Sequence, residues 1–157
     1  MKNLSPHNYL LKLLTRREHS VSEVREKLRK KFPAEIENIE KLIKKFVEKN
    51  WLSDSRFCEV FVRDQILKKS GPKKIIQKLF KRGVDLELIR EKIEEEYPAS
   101  DQAEIIMELA KNKYETLKKR GKGESELELR QKILRFLMGR GFDFDMVKKA
   151  AKKRING

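Results

Sequence analysis

Lys74-Ile75-Ile76-Gln77-Lys78-Leu79-Phe80-Lys81-Arg82-Gly83-Val84-Asp85 is repeated as Lys132-Ile133-Leu134-Arg135-Phe136-Leu137-Met138-Gly139-Arg140-Gly141-Phe142-Asp143, 58 residues later. Lys74/Lys132, Ile75/Ile133, Leu79/Leu137, Arg82/Arg140, Gly83/Gly141 and Asp85/Asp143 are identical pairs, and Leu88/Met146 and Ile89/Val147 continue the register. The apolar steps of three and four describe one helix face. Gly then supplies a left-handed stop and Asp a cap for the next helix. A third echo, Val24 to Lys31, lies 51 residues before the first, through Val24/Ile75, Lys27/Lys78 and Leu28/Leu79. A repeat near this length implies neighbouring units stacked into an array.

Working outward, each unit reads as three helices. Leu10, Leu13 and Leu14 mark the first helix. Ser20 and Glu23 form a capping-box pattern before Val24 and Leu28, and Phe32-Pro33 ends that helix. Ile36, Ile39, Ile43, Phe46 and Val47 step along a third. Ser53 caps a fourth, with Phe57, Val60 and Phe61 directed inward. Gly71-Pro72 opens the fifth, with proline in its favoured first turn. Asp85 caps the sixth. Ile106, Leu109, Ala110 and Leu117 run along a long seventh, Leu129 to Leu137 along the eighth, and Asp143 caps the ninth, with Val147 and Ala150 apolar. The expectation is an all-α fold of three tandem three-helix repeats, residues 1–52, 53–98 and 99–157, forming an elongated, curved, solenoid-like array.

The chain has 157 residues, long enough for a substantial core. Apolar runs never exceed three residues, and a membrane span needs about 20. The opening residues contain Lys2, Lys12, Arg16, Arg17 and Glu18, so no signal-peptide core fits and a cytoplasmic location is expected. Cys58 is the one cysteine, which excludes an intramolecular disulfide and is read as a small buried hydrophobe. With only His7 and His19 beside it, no metal site is expected.

No catalytic constellation survives inspection. Gly121-Lys122-Gly123 lacks the spacing of a phosphate loop. Glu94-Glu95-Glu96 point in different directions on a helix and read as a solvated face. No cofactor is implied and no enzymatic activity is expected. Charge is more informative. Lys and Arg total 39 against 25 Asp and Glu, a net of +14, which points to nucleic acid or to an acidic protein surface. Arg63 to Arg82 carries a net of +7, Lys111 to Lys122 holds six bases and one acid, and Asp85 to Glu108 carries a net of −7. The candidate contact residues are Arg56, Arg63, Lys68, Lys69, Lys73, Lys74, Lys78 and Arg82, with Lys148, Lys149, Lys152 and Lys153 second. Arg56 also suits an internal ion pair. Trp51, Tyr9 and Tyr97 lie beside helix ends, where a core role is equally open, so backbone contact is favoured over base readout.

Asn50-Trp51-Leu52-Ser53-Asp54-Ser55-Arg56-Phe57-Cys58-Glu59-Val60-Phe61-Val62-Arg63 resembles the central signature of the bacterial RecX regulators. Gly71-Pro72-Lys73-Lys74-Ile75, Arg82-Gly83-Val84-Asp85 and the opening Tyr9 to Ser20, followed by Glu23 and Leu28, extend the resemblance over residues 8–150. Cys58 stands where a small residue is usual, Trp51 where Tyr is more common, and the third repeat is the family's most variable part. A monomer is expected, and the resemblance implies a modulator of the RecA recombinase that lodges in the groove of the RecA–DNA filament. Such proteins limit filament extension or promote disassembly, damp strand exchange and SOS signalling, and contact single- or double-stranded DNA. The alternative is a helical nucleic-acid-binding protein with no recombinase partner.

Overall fold

The computed structural model describes the backbone of residues 4–156 and the side chains of residues 4–150. Nine α-helices and no strand occur among the described residues. They are α1 (Pro6–Arg16), α2 (Val21–Lys31), α3 (Ile36–Glu48), α4 (Asp54–Leu67), α5 (Pro72–Lys81), α6 (Leu86–Glu96), α7 (Ala99–Arg120), α8 (Glu126–Gly139) and α9 (Phe144–Asn156). The expected punctuation is present. Ser20 and Glu23 close the capping box of α2. The Ser53 side chain accepts from the Arg56 amide at 3.1 Å. Gly83, Gly121 and Gly141 adopt φ of +78°, +60° and +97° after α5, α7 and α8, a conformation that costs residues with a Cβ.

The chain divides into two compact units. One comprises the chain up to Phe61 with Lys78–Lys92; the other comprises Val62–Gln77 with the chain from Ile93 onward. In the first, α1 packs on α2 and α2 on α3, around Leu10, Leu13, Val24, Leu28, Ile39, Ile43, Phe46 and Leu52. In the second, α7, α8 and α9 pack on one another, burying residues such as Ile106, Ala110, Leu129, Ile133, Phe142 and Val147. Removing a Val, Leu, Ile or Phe side chain from water stabilises by roughly 1.5–3 kcal/mol, before chain entropy is counted.

The apolar faces differ in places from the expected ones. Val60 is 49% exposed: the inward face of α4 runs through Phe57, Cys58, Val62 and Gln65, and Val60 falls on the opposite side of the helix. Phe61 falls between Phe57 and Gln65 on that face and is half-buried. Ile36 and Val47 lie outside the stripe Ile39–Ile43–Phe46 and are exposed. Tyr97 is buried and Tyr9 half-buried, whereas Trp51 is 46% exposed and meets Phe46 edge-on at 5.2 Å.

Each Arg-Gly stop docks onto the start of an earlier helix within its own unit. In the first unit the α5 stop meets the start of α2. Ser20 Oγ donates to the Arg82 carbonyl at 2.8 Å, and the Val21 amide donates to Asp54 Oδ1 at 2.7 Å. A Cβ on Gly83 would come within 2.3 Å of the Ser22 side chain. In the second unit the α8 stop meets the start of α5. The Gly71 amide donates to the Arg140 carbonyl at 2.7 Å, and the Lys73 amide donates to the Gly141 carbonyl at 3.0 Å. A Cβ on Gly71 would lie 2.2 Å from the Gly141 carbonyl carbon. The first amides of a helix have no partner inside it, so each seat satisfies groups that burial would otherwise leave orphaned.

Candidate functional site

The basic residues expected to meet a polyanion fall into two groups once their surroundings are known. Several are tied to the protein itself. Arg56 Nε meets Glu18 Oε1 at 2.6 Å, and its other nitrogens donate to the Asn50 and Trp51 carbonyls at 3.1 and 3.2 Å. It is the internal pair that its first-turn position allowed. Asn50 adopts φ +59°, so Arg56 also clamps a left-handed turn between α3 and α4. Arg63 holds both carboxylate oxygens of Glu96, at 2.9 and 3.1 Å. Lys69 Nζ meets Glu108 at 2.7 Å. Arg82 donates to the Lys78 carbonyl at 2.9 Å and lies 4.7 Å from the centre of the Phe61 ring.

The acidic stretch therefore has a role that charge counting alone did not supply. Glu96 and Glu108 belong to the segment Asp85–Glu108, and they neutralise Arg63 and Lys69 of the basic segment that precedes it. The two runs of opposite sign are in part partners within one unit. Such exposed pairs contribute about 0–1 kcal/mol each, so a phosphate competes with them readily.

The second group faces solvent. Lys68 is exposed and makes only an i,i+4 pair with Asp64 at 3.2 Å. Lys73 is exposed through its side chain, and Lys74 reaches the Gly139 carbonyl at 3.3 Å. Lys148 and Lys149 are exposed on α9, with Lys148 Nζ 5.9 Å from the centre of the Phe144 ring. Lys78 is half-buried. The side chains of Lys152 and Lys153 lie outside the described residues.

Buried polar groups serve the fold. Tyr97 Oη donates to the Ser70 carbonyl at 2.8 Å, and burial pushes its phenol up to about 12. Burial likewise pushes the Cys58 thiol up to about 11, which makes it a poor nucleophile near neutrality. His19 is buried beside the α2 seat, its Nδ1 at 3.0 Å from the Arg17 carbonyl, and burial lowers its pKa. His19 thus has a buried structural role, and His7 sits half-buried with its ring edge-on to Phe46 at 5.5 Å. Among the described residues no group of three or more His, Cys, Asp or Glu could hold a metal ion, and no helix is long and apolar enough to cross a membrane.

Repeated three-helix units with a strongly basic surface define an all-α tandem-repeat protein, a class that works through extended surfaces. Comparison with known proteins makes the assignment narrower. The family models described as RecX first, second and third three-helix domain match residues 7–45, 53–93 and 100–151. A regulatory protein RecX of Actinobacillus pleuropneumoniae is 35% identical over 143 residues, covering 90% of this chain and 87% of that protein. Its counterpart from Acinetobacter baylyi is 33% identical over 138 residues, covering 88% and 80%. The crystal structure of RecX from Lactobacillus salivarius superposes with a TM-score of 0.84 at 25% identity, covering 95% of this chain and 94% of that one. The chain belongs to the RecX family of regulatory proteins, and its fold is the tandem three-helix repeat of that family.

Proposed function

We propose that the protein is a non-enzymatic, monomeric, cytoplasmic regulator of the RecA recombinase that needs no cofactor. It binds in the groove of the RecA–DNA filament, limits filament extension or promotes disassembly, and so damps recombination and the SOS response. Membership of the regulatory family along nearly the whole chain, with all three domains in order, carries this reading. The proposed repeat boundaries are 1–52, 53–98 and 99–157. Of the basic residues first considered, Lys68, Lys73, Lys74, Lys148 and Lys149 are the preferred contacts, because their ammonium groups face solvent or make only weak surface interactions. Arg56, Arg63, Lys69 and Arg82 take a supporting role.

The test follows ATP hydrolysis by RecA on single-stranded DNA while the protein is titrated at two salt concentrations. Inhibition well below one copy per RecA, persisting at the higher salt, is the expected result. Full RecA activity at equimolar protein would sink the proposal. The net charge of +14 favours one rival, direct nucleic-acid binding without a recombinase partner. That rival predicts inhibition only at DNA-saturating amounts, abolished by salt.

A further inference from the structure

We propose that the groove between α7 and α8 is a binding site for the phosphate backbone of single-stranded nucleic acid. The groove is an open depression of about 460 Å³, lined by Lys113, Leu117 and Arg120 of α7 and by Lys132, Arg135 and Phe136 of α8. Four of the six lining side chains are cationic and none is acidic. None of the four is among the candidate contact residues named from the sequence, although Lys113 and Arg120 lie in the basic run Lys111 to Lys122.

The arrangement has the features that a linear polyanion requires. Lys113, Leu117 and Arg120 follow one face of α7, which sets the charges of Lys113 and Arg120 about 10 Å apart along the helix axis. That is room for more than one phosphate of a strand. Arg120 and Arg135 make no ion pair among the described residues, in contrast to Arg56 and Arg63. Two unpaired guanidinium groups offer the planar fork that binds phosphate oxygens in pairs. The other two cations are held by the protein, as Lys69 and Arg82 are, and take a supporting role beside the two arginines. Lys113 Nζ lies 4.9 Å from the centre of the Phe136 ring, and Lys132 Nζ meets Glu124 at 2.7 Å. Holding long side chains in place before binding lowers the ordering cost.

The floor narrows the class of ligand. Half-buried Phe136 presents apolar surface between the cations, above buried Leu117. A nucleic-acid strand alternates charged phosphates with flat, largely apolar rings, and an aromatic floor between cations matches that alternation without selecting a sequence. This site does not depend on the recombinase reading; it would operate on a bare strand.

The test compares wild type with R120Q/R135Q and with K41Q/K44Q, which removes the same charge from exposed positions on α3. A fluorescent single-stranded oligodeoxynucleotide is titrated by anisotropy between about 50 and 200 mM salt. The groove variant should lose about tenfold in affinity at the lower salt. Its salt slope should fall by about 1.4, for two lost contacts at roughly 0.7 each. The α3 variant should stay within about twofold of wild type, and both variants should keep the wild-type thermal transition. Equal losses in the two variants, or none in the groove variant, would overturn the site. Equal displacement of the oligonucleotide by polyglutamate of the same charge would also overturn it, in favour of an acidic protein partner. RecA inhibition is measured in parallel. A groove variant that loses the oligonucleotide but still inhibits RecA supports the site and leaves the recombinase proposal standing. Absence of inhibition by wild type defeats only the recombinase proposal.

Discussion

The two Arg-Gly seats accomplish one task by different chemistry. Arg82 and Arg140 occupy matched positions, and so do Ser20 and Gly71, by the offsets of 58 and 51 residues that define the repeat. At the first seat the Arg82 carbonyl receives a side-chain hydroxyl, from Ser20. At the second the Arg140 carbonyl receives a backbone amide, from Gly71. The reason is local. The Ser20 amide is engaged by Glu23 Oε1 at 3.2 Å in the capping box, so only its hydroxyl is available. The segment before α5 has no capping box; Gly71 frees its amide and lets two backbones approach to a distance that no Cβ permits. A repeat therefore conserves a bonding requirement rather than a residue. The carbonyl of the left-handed turn must find a donor, and either kind of donor satisfies it.

Six substitutions, one ultraviolet titration and one exchange experiment across pH would break or sharpen this comparison. The largest effect is expected for Gly71→Ala. The new Cβ would meet backbone atoms, which cannot swing aside as a side chain can, so a loss of about 3 kcal/mol is expected in urea unfolding. A loss below about 0.5 kcal/mol would show that the backbone contact is not tight in solution. Ser20→Ala removes both the α2 cap and the donor to Arg82, for about 2 kcal/mol. If it costs as much as Gly71→Ala, the two seats are energetically equivalent and the contrast drawn between them is too strong.

Next come the two arginines that tie down turns. Arg56 binds the carbonyls of Asn50 and Trp51; Arg140 donates to those of Lys68 and Lys69. Each turn holds a non-glycine residue with positive φ, Asn50 at +59° and Lys69 at +60°. Replacing either arginine by alanine should cost about 1.5 kcal/mol and speed amide exchange in its own turn. Equal exchange in both turns after a single substitution would contradict separate clamps. Tyr97→Phe, which leaves the Ser70 carbonyl next to the second seat without its hydroxyl, should cost about 1 kcal/mol. In the wild type, ultraviolet titration should find a phenol that ionises only near pH 12.

The smallest effect concerns pH. His19 lies at the first seat, where burial, followed by the positive charges of Arg17 and Lys27, outweighs its bond to the Arg17 carbonyl and the Glu23 charge. Its folded pKa is below the ordinary 6.5, so the unfolded chain binds the proton more readily. This contribution is complete above pH 6.5 and is lost as pH falls from there through the lowered folded value. Asp54, whose carboxyl is raised by burial, acts with the opposite sign at lower pH, gaining stability as it is protonated. Amides at the first seat should therefore exchange faster just below pH 6.5 than at neutrality, relative to those at the second. A His19→Gln variant that keeps the same pH dependence would refute the assignment.

Much of the fold was legible in the residues. Helix spacing, the capping box at Ser20, proline at position 72 and the left-handed glycines are local signals, decided by backbone sterics and by side chains a few positions apart. The errors were of phase. Val60, Ile36 and Val47 are apolar and sit on helices, yet neighbouring helices cover other faces. The candidate contacts were less legible. Counting cations located the basic segments but could not tell which ammonium and guanidinium groups meet a carboxylate dozens of residues away, as Arg63 meets Glu96 and Lys69 meets Glu108. The α7–α8 groove was hidden for the same reason, since its cations come from two helices.

The sequence by itself determined that the chain is helical, that it repeats, and where its helices start and stop, because those outcomes depend on interactions within one or two turns. Tertiary structure alone decided which charges remain for a partner and which donor completes each seat. Ion pairs and buried carbonyls are satisfied by whatever the fold brings within about 3 Å. That proximity joins residues far apart in the chain.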